Sequence, residues 1–275
     1  MNTFKYSEAA VVVLVNIIVM TGMLLVVPLG LGLIDLSAAY RRLWLVGAVP
    51  GALSLWLPRG ALAVALAIVY ALATLPLAIR GLQRLLRLTS VDIAVGTGLG
   101  MPSVAATALV AERGGVELFG FSLKILSLTV AHFHFAGFAA ALVAGLVCRA
   151  VREPLGSLAA LSVPAGTSLV LVGYFTGEWV EFAGAVVLTG GMWLVGWLVW
   201  REMRVGDRAV RALLLISAGV LVATMILALS WALGQASGLP HPSLTWMAAT
   251  HGVGNAFGFG LCGMLAWRSL REEAL

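Results

Sequence analysis

The sequence predicts an all-α, polytopic transmembrane helical bundle of about nine spans, with its N-terminus outside and its C-terminus in the cytoplasm. Three observations predict it. Of the 275 residues 61% are hydrophobic and 11% charged, a composition from which no soluble surface can be assembled. The apolar residues fall into runs of about 20, long enough for a helix rising roughly 1.5 Å per residue to cross a hydrocarbon core of about 30 Å. Finally, the 17 lysines and arginines gather in alternate connections between those runs.

In chain order the spans run approximately from Ala9 to Ile34, Leu43 to Leu57, Gly60 to Ile79, Val91 to Ala111, Ile125 to Val147, Gly156 to Thr176, Phe182 to Trp200, Ala212 to Leu233 and Leu244 to Trp267. The first is too long for a signal-peptide core, has only Lys5 in place of a basic leader, and shows no cleavage pattern, so it reads as a retained span. The second is short and carries Pro50. Charge makes it a crossing. With nine crossings Arg41, Arg42, Arg80, Arg84, Arg87, Arg149, Arg152, Arg201, Arg204, Arg208, Arg211, Arg268 and Arg271 share one side, against Lys5, Arg59, Arg113 and Lys124 on the other. Basic residues accumulate in the cytoplasm, which orients the chain. The formal charge of +5 is therefore an orientation signal, and nucleic acid is not expected as a partner. The expected setting is the bacterial cytoplasmic membrane, multi-pass, with the lipid bilayer as partner, and residues 1–275 form one transmembrane domain. The oligomeric state is left open.

Orientation sorts the polar residues by depth. His132 and His134 lie in the outer half or near the middle of the fifth span, His251 about two turns into the ninth, and Asn16 two turns into the first. Glu178 and Glu181 sit between the sixth and seventh spans, and His241 between the eighth and ninth. Ionisable groups at membrane depth are costly and face an interior or aqueous cavity, which makes them functional candidates. At roughly 100° per residue His132 and His134 point to nearly opposite sides of a regular helix, so only one of them readily joins His251. By contrast His251 and Asn255 are one turn apart on one face. Aromatic residues gather at the same level. Phe135, Phe138, Tyr174, Trp179, Trp231, Trp246 and Phe257, with Asn16, are the expected walls of a pocket around the histidines, whose ring faces can stabilise positive charge. Gly137, Ala141 and Gly145 in the fifth span and Gly254 and Gly258 in the ninth are small-residue stripes on which those two helices are expected to approach each other.

Other chemistry is poorly served. The glycines from Gly96 to Gly100 follow no strand and read as helix packing. Three widely spaced aspartates, Asp35, Asp92 and Asp207, provide no pair to hold magnesium on a diphosphate. Two cysteines form no thiolate cage.

Two resemblances follow from the histidine segments. V-A-H-F-H-F, Val130 to Phe135, resembles the helix of the haem-copper oxidase large subunit whose two histidines ligate two haems from opposite faces. The histidine cluster for the copper site is missing and the spans are fewer, so that likeness implies at most a bis-histidine b-type haem site of His251 with His132 or His134. Over most of its length the chain resembles the YndJ-like bacterial membrane proteins, through H-F-H-F-A-G-F at His132 to Phe138 and H-G-V-G-N-A-F-G-F at His251 to Phe259. This resemblance implies a shared site and names no reaction.

The leading expectation is a membrane-embedded enzyme that uses His132, His134, His251, Glu178, Glu181 and Asn255 for acid–base chemistry on a lipophilic small molecule, without a cofactor. Proton-initiated isomerisation or cyclisation of an isoprenoid or epoxide suits such a site. One alternative is a redox protein holding a b-type haem or a transition metal through His132, His134, His241 and His251. The other is a small-molecule or proton-coupled transporter, for which prolines in several spans mark flexible helices.

Overall fold

The computed structural model describes residues 8–151, 154–202 and 207–273. Lys5, Arg152 and Arg204, which enter the charge alternation above, lie outside the described residues. Those described are helical and contain no strand. Joining contiguous α and π turns gives nine helices: α1 (Glu8–Leu31), α2 (Ala38–Ser54), α3 (Ala61–Leu85), α4 (Ser90–Gly114), α5 (Leu123–Val151), α6 (Pro154–Thr176), α7 (Glu178–Glu202), α8 (Arg208–Ser237) and α9 (244–273). Seven of them are long and apolar enough to cross a membrane, α2 and α9 being the others. Side chains start several of these helices by accepting a free first-turn N–H: Thr89 from Asp92, Ser122 from Ile125, Asp207 from Ala209 and Val210, and Ser243 from Trp246.

The fifth helix is the axis of the bundle. Its apolar window is 83% buried, against 28% for α8. Antiparallel neighbours α2, α3 and α4 pack in sequence, and α4 lies along α5. On the other side α6, α7 and α8 pack in sequence, with α9 against α8, and α1 contacts both α5 and α9. The small-residue stripes correct an expectation. A Cβ on Gly137 would meet Met101 and one on Gly145 would meet Val95, both on α4; on Gly254 and Gly258 it would meet Thr224 and Val220, both on α8. The stripes therefore dock α5 and α9 onto their sequence neighbours instead of onto each other. Where α5 and α9 do meet, Gly260 lies against the Phe135 ring.

Three helices carry π turns at their mutual contacts: Gly22–Val26 in α1, Phe133–Ala139 in α5, and Ala248–Gly252 with Gly254–Leu261 in α9. A π turn interrupts the usual hydrogen-bond ladder, and away from water its carbonyls draw on donors from elsewhere. Each helix finds one next door. Trp44 Nε1 donates to Met23 O at 2.8 Å, Thr167 Oγ1 to Ala136 O at 3.2 Å, and Ser217 Oγ to Phe259 O at 3.0 Å.

A second polar knot secures α2. Glu112, 2% exposed, accepts from Arg59 Nε at 3.0 Å and Nη2 at 2.7 Å, and pairs with Arg113. Arg113 Nη1 in turn reaches the carbonyls of Ser54, Leu55 and Leu57 at 3.2 to 3.4 Å. These carbonyls lie at the end of α2 and in the turn just beyond it, where the partial negative charge of the helix end suits a guanidinium. The two arginines assigned to outer connections are thus built into the fold as a neutralising clamp on one buried carboxylate.

Candidate functional site

A cavity of about 690 Å³ opens among α1, α5, α6, α7, α8 and α9. None of its lining comes from α2, α3 or α4, so those helices back α5 without touching the space. Phe121, Gly177 and Leu244, which lie beside or between helix ends, all border it and place its mouth at the end of the bundle where α5, α7 and α9 begin. Phe121 also stacks edge-on with Tyr174 and Phe175, at centroid distances of 5.9 and 5.8 Å, joining the start of α5 to the end of α6. At the turn that follows, a Cβ on Gly173 would stand 2.4 Å from Glu181 N. Glycine at this position lets the first turn of α7 lie directly on α6, which brings both glutamates to the rim.

Within the apolar wall a few polar atoms stand unpaired. Among the described residues four buried side-chain atoms lack a hydrogen-bond partner, and three of them, His132 Nε2, Trp231 Nε1 and Asn255 Oδ1, belong to cavity-lining residues. Buried polar atoms are otherwise almost always satisfied, so such a concentration singles out the cavity.

His251 and Asn255 form a fixed pair. His251 Nδ1 is 2.7 Å from Thr224 O, and a carbonyl only accepts, so Nδ1 carries the proton. Nε2 is then the acceptor, and Asn255 Nδ2 donates to it at 3.0 Å. That geometry turns Asn255 Oδ1, an acceptor, away from His251.

His134 has the same tautomer in another place. Its ring lies 2.6 Å through Nδ1 from Val130 O and 2.8 Å through Nε2 from the Tyr70 hydroxyl, so Nδ1–H donates to the carbonyl and the hydroxyl donates to Nε2. Both side chains are fully buried, and Trp44 packs edge-on against Tyr70 at 5.5 Å. His134 does not line the cavity. Its expected catalytic role is corrected on that ground: Nδ1 is held by a carbonyl of its own helix and Nε2 by Tyr70 of α3, so neither nitrogen is free to face the cavity. The hydroxyl of Tyr70, buried in an otherwise apolar span, was the sequence signal for this partnership, since a buried phenol requires one.

Of the remaining expected residues, Glu178, Glu181, Phe135, Tyr174 and Trp231 line the cavity with His132, His251 and Asn255. Six do not. Asn16 Nδ2 donates to Leu55 O at 2.9 Å and helps cap α2. Phe138 is buried against Gly30 of α1. Trp179, Trp246 and Phe257 are exposed on the outer surface, the aspect that an apolar helix turns to lipid. His241 is also exposed, its Nδ1 donating to Pro242 O at 3.0 Å and its Nε2 3.1 Å from Gln235 Nε2, with its ring beside Trp231 at the rim. Phe121 lines the cavity and was missed, because it precedes the span in which histidine depth was counted.

The donor set can be tested against a metal or haem. Among the described residues no three His, Cys, Asp or Glu side chains gather closely enough to hold a metal ion. An axial histidine pair across the cavity needs a free Nε2 lone pair on both His132 and His251, and that of His251 already accepts from Asn255. As arranged, the pair offers one unengaged Nε2.

A protein-family model described as YndJ-like protein matches residues 17–259. Comparison with curated proteins and with solved structures gave no match.

Proposed function

The chain belongs to the YndJ-like family, and we propose that its cavity is the active site of a membrane-embedded enzyme performing acid–base chemistry on a lipophilic small molecule. The observation that carries this reading is the unpaired, buried Nε2 of His132 on the wall of an apolar cavity of about 690 Å³. Pockets for small molecules typically measure about 300–1,000 Å³, with an apolar lining and few polar groups. The free Nε2 of His132 faces the space where a substrate would lie, so His132 is assigned as the group that gives or takes the substrate proton. The His251–Asn255 pair orients the substrate through Asn255 Oδ1, Trp231 Nε1–H offers a donor, and Glu178 and Glu181 connect the site to protons at the mouth. Isomerisation and cyclisation are the reactions that such groups start without a redox partner. No cofactor is invoked.

The test is mass-neutral conversion. Purified protein in nanodiscs is incubated with a lipid extract in H₂O and in D₂O, and products are resolved by chromatography and mass spectrometry. The expected product has the substrate's mass in H₂O and carries one added deuterium in D₂O. Its formation falls about 10²–10⁴-fold in His132→Ala, the usual contribution of a positioned acid or base. Equal turnover in that variant, or a visible haem band or stoichiometric metal in the active protein, overturns the proposal.

The membrane arrangement belongs to the same proposal: nine crossings, α2 and α9 included, in the bacterial cytoplasmic membrane, with the N-terminus outside and the cavity mouth on the outer face. Its support is the gathering of arginines at the opposite end of the bundle.

A further inference from the structure

We infer that the ligand of this cavity is a lipophilic cation, a long-chain amine whose ammonium group sits at the mouth between Glu178, Glu181 and the aromatic rings while its apolar body extends toward His132. The inference rests on the proposed function above and names the substrate class of that site. Three observations carry it.

The first is sign. Both Glu178 and Glu181 line the cavity, one helical turn apart on α7, and no lysine or arginine joins them. Lys124 is the nearest base in sequence to the lining residue Ile125, and it is exposed and outside the lining. A helix N-terminus favours carboxylates by itself, but it does not require them to face an apolar space free of cationic side chains. A fatty acid or phosphorylated lipid would bring a third acidic group to this rim.

The second is the ring set. Tyr174, Phe175 and Trp231 line the same space as the two glutamates, and aromatic faces hold ammonium groups, the more so when water is excluded.

The third is the order of polar groups with depth. Counting about 1.5 Å per residue from the helix ends at the mouth, Glu181 lies roughly 5 Å in, Trp231 and His251 roughly 10 Å, and His132 roughly 14 Å. Between and around them the wall is apolar, with residues such as Val170, Leu188, Met192 and Met225. Charge at the rim, hydrocarbon along the wall and a proton-exchanging nitrogen at depth match an amphiphile with its head outward.

The experiment uses the full chain in nanodiscs and three photoreactive probes with the same C16 chain, a diazirine at mid-chain, and an amine, alcohol or carboxylate head. Crosslinked residues are mapped by mass spectrometry. The amine is expected to label cavity residues about tenfold more efficiently than the alcohol, the ratio that roughly 1.4 kcal/mol provides, and the carboxylate least of all. In E178Q/E181Q amine labelling should fall to the alcohol's level while alcohol labelling is retained, which also shows that the variant is folded. Equal labelling by amine and alcohol in the unmodified protein, or an amine preference that survives the double substitution, overturns the cation inference and leaves the cavity reading standing. If none of the probes reaches the cavity residues, the proposed function fails with it.

Discussion

Replacing Tyr70 with phenylalanine removes one oxygen from the centre of the bundle and leaves His134 Nε2 without its donor. Tyr70 and His134 are each 0% exposed, and the bond between them is 2.8 Å. Stranding a buried acceptor costs about 1–3 kcal/mol in water-soluble proteins. In a membrane the unfolded reference state also finds partners, and paired substitutions give about 0.6 kcal/mol on average and about 1.7 at most. Full burial of both groups puts this pair near the upper end, so Tyr70→Phe should cost about 1–2 kcal/mol. His134→Leu strands the phenol in the same way. The double variant strands neither group, and its cost should therefore fall short of the sum of the single costs by about 1 kcal/mol. The measurement is reversible unfolding in mixed micelles titrated with dodecyl sulfate, followed by tryptophan fluorescence. Costs that add within about 0.3 kcal/mol would refute the view that the two side chains form one structural unit, and His134 would again be a candidate for the chemistry.

Further outcomes test other parts of the molecule. Gly22→Ala places a Cβ 2.8 Å from His134 Cβ, and this overpacking should cost about 1–3 kcal/mol in the same assay. Arg113→Ala leaves Glu112 with Arg59 alone and bares the terminal carbonyls of α2; a loss of about 3 kcal/mol is expected, read as a lower unfolding midpoint, whereas an unchanged midpoint would reduce the clamp to a surface ion pair. Cysteines placed singly at Ser37 and Arg59 in a cysteine-free chain should label from opposite faces of intact cells with an impermeant reagent, Arg59 from outside. Labelling of both from one face would remove α2 from the crossings.

Length and hydropathy made the helical architecture legible, because a bilayer selects on those quantities directly. The angular step made a division between His132 and His134 readable too, and the structure places them in different surroundings: His132 on the cavity, His134 against Tyr70. What the step could not provide was the partner. Tyr70 is 64 residues away, and an apolar span reads the same whichever neighbour it touches. For this reason Phe138, Trp179, Trp246 and Phe257 have the right depth but the wrong direction, and Asn16 points to the end of α2. Arg113 reads as a loop charge because hydropathy registers its presence and misses its burial. The π turns left no compositional trace at all.

Those π turns have a consequence for how this chain tolerates insertion and deletion. A π turn is an α-helix with one surplus residue accommodated in a wider loop of backbone. Deleting a single residue between Phe133 and Ala139 would let α5 return to a regular ladder while turning everything on one side of the cut by about 100° relative to the other. The imidazole at the cavity and the packing of the C-terminal half of α5 on α4 would then be out of phase. The surplus residue therefore works as an angular spacer that lets one helix aim its two halves independently. At this level in α1, α5 and α9 the reading frame of side-chain direction is set by a count of residues, and a one-residue length change there should be more damaging than most substitutions.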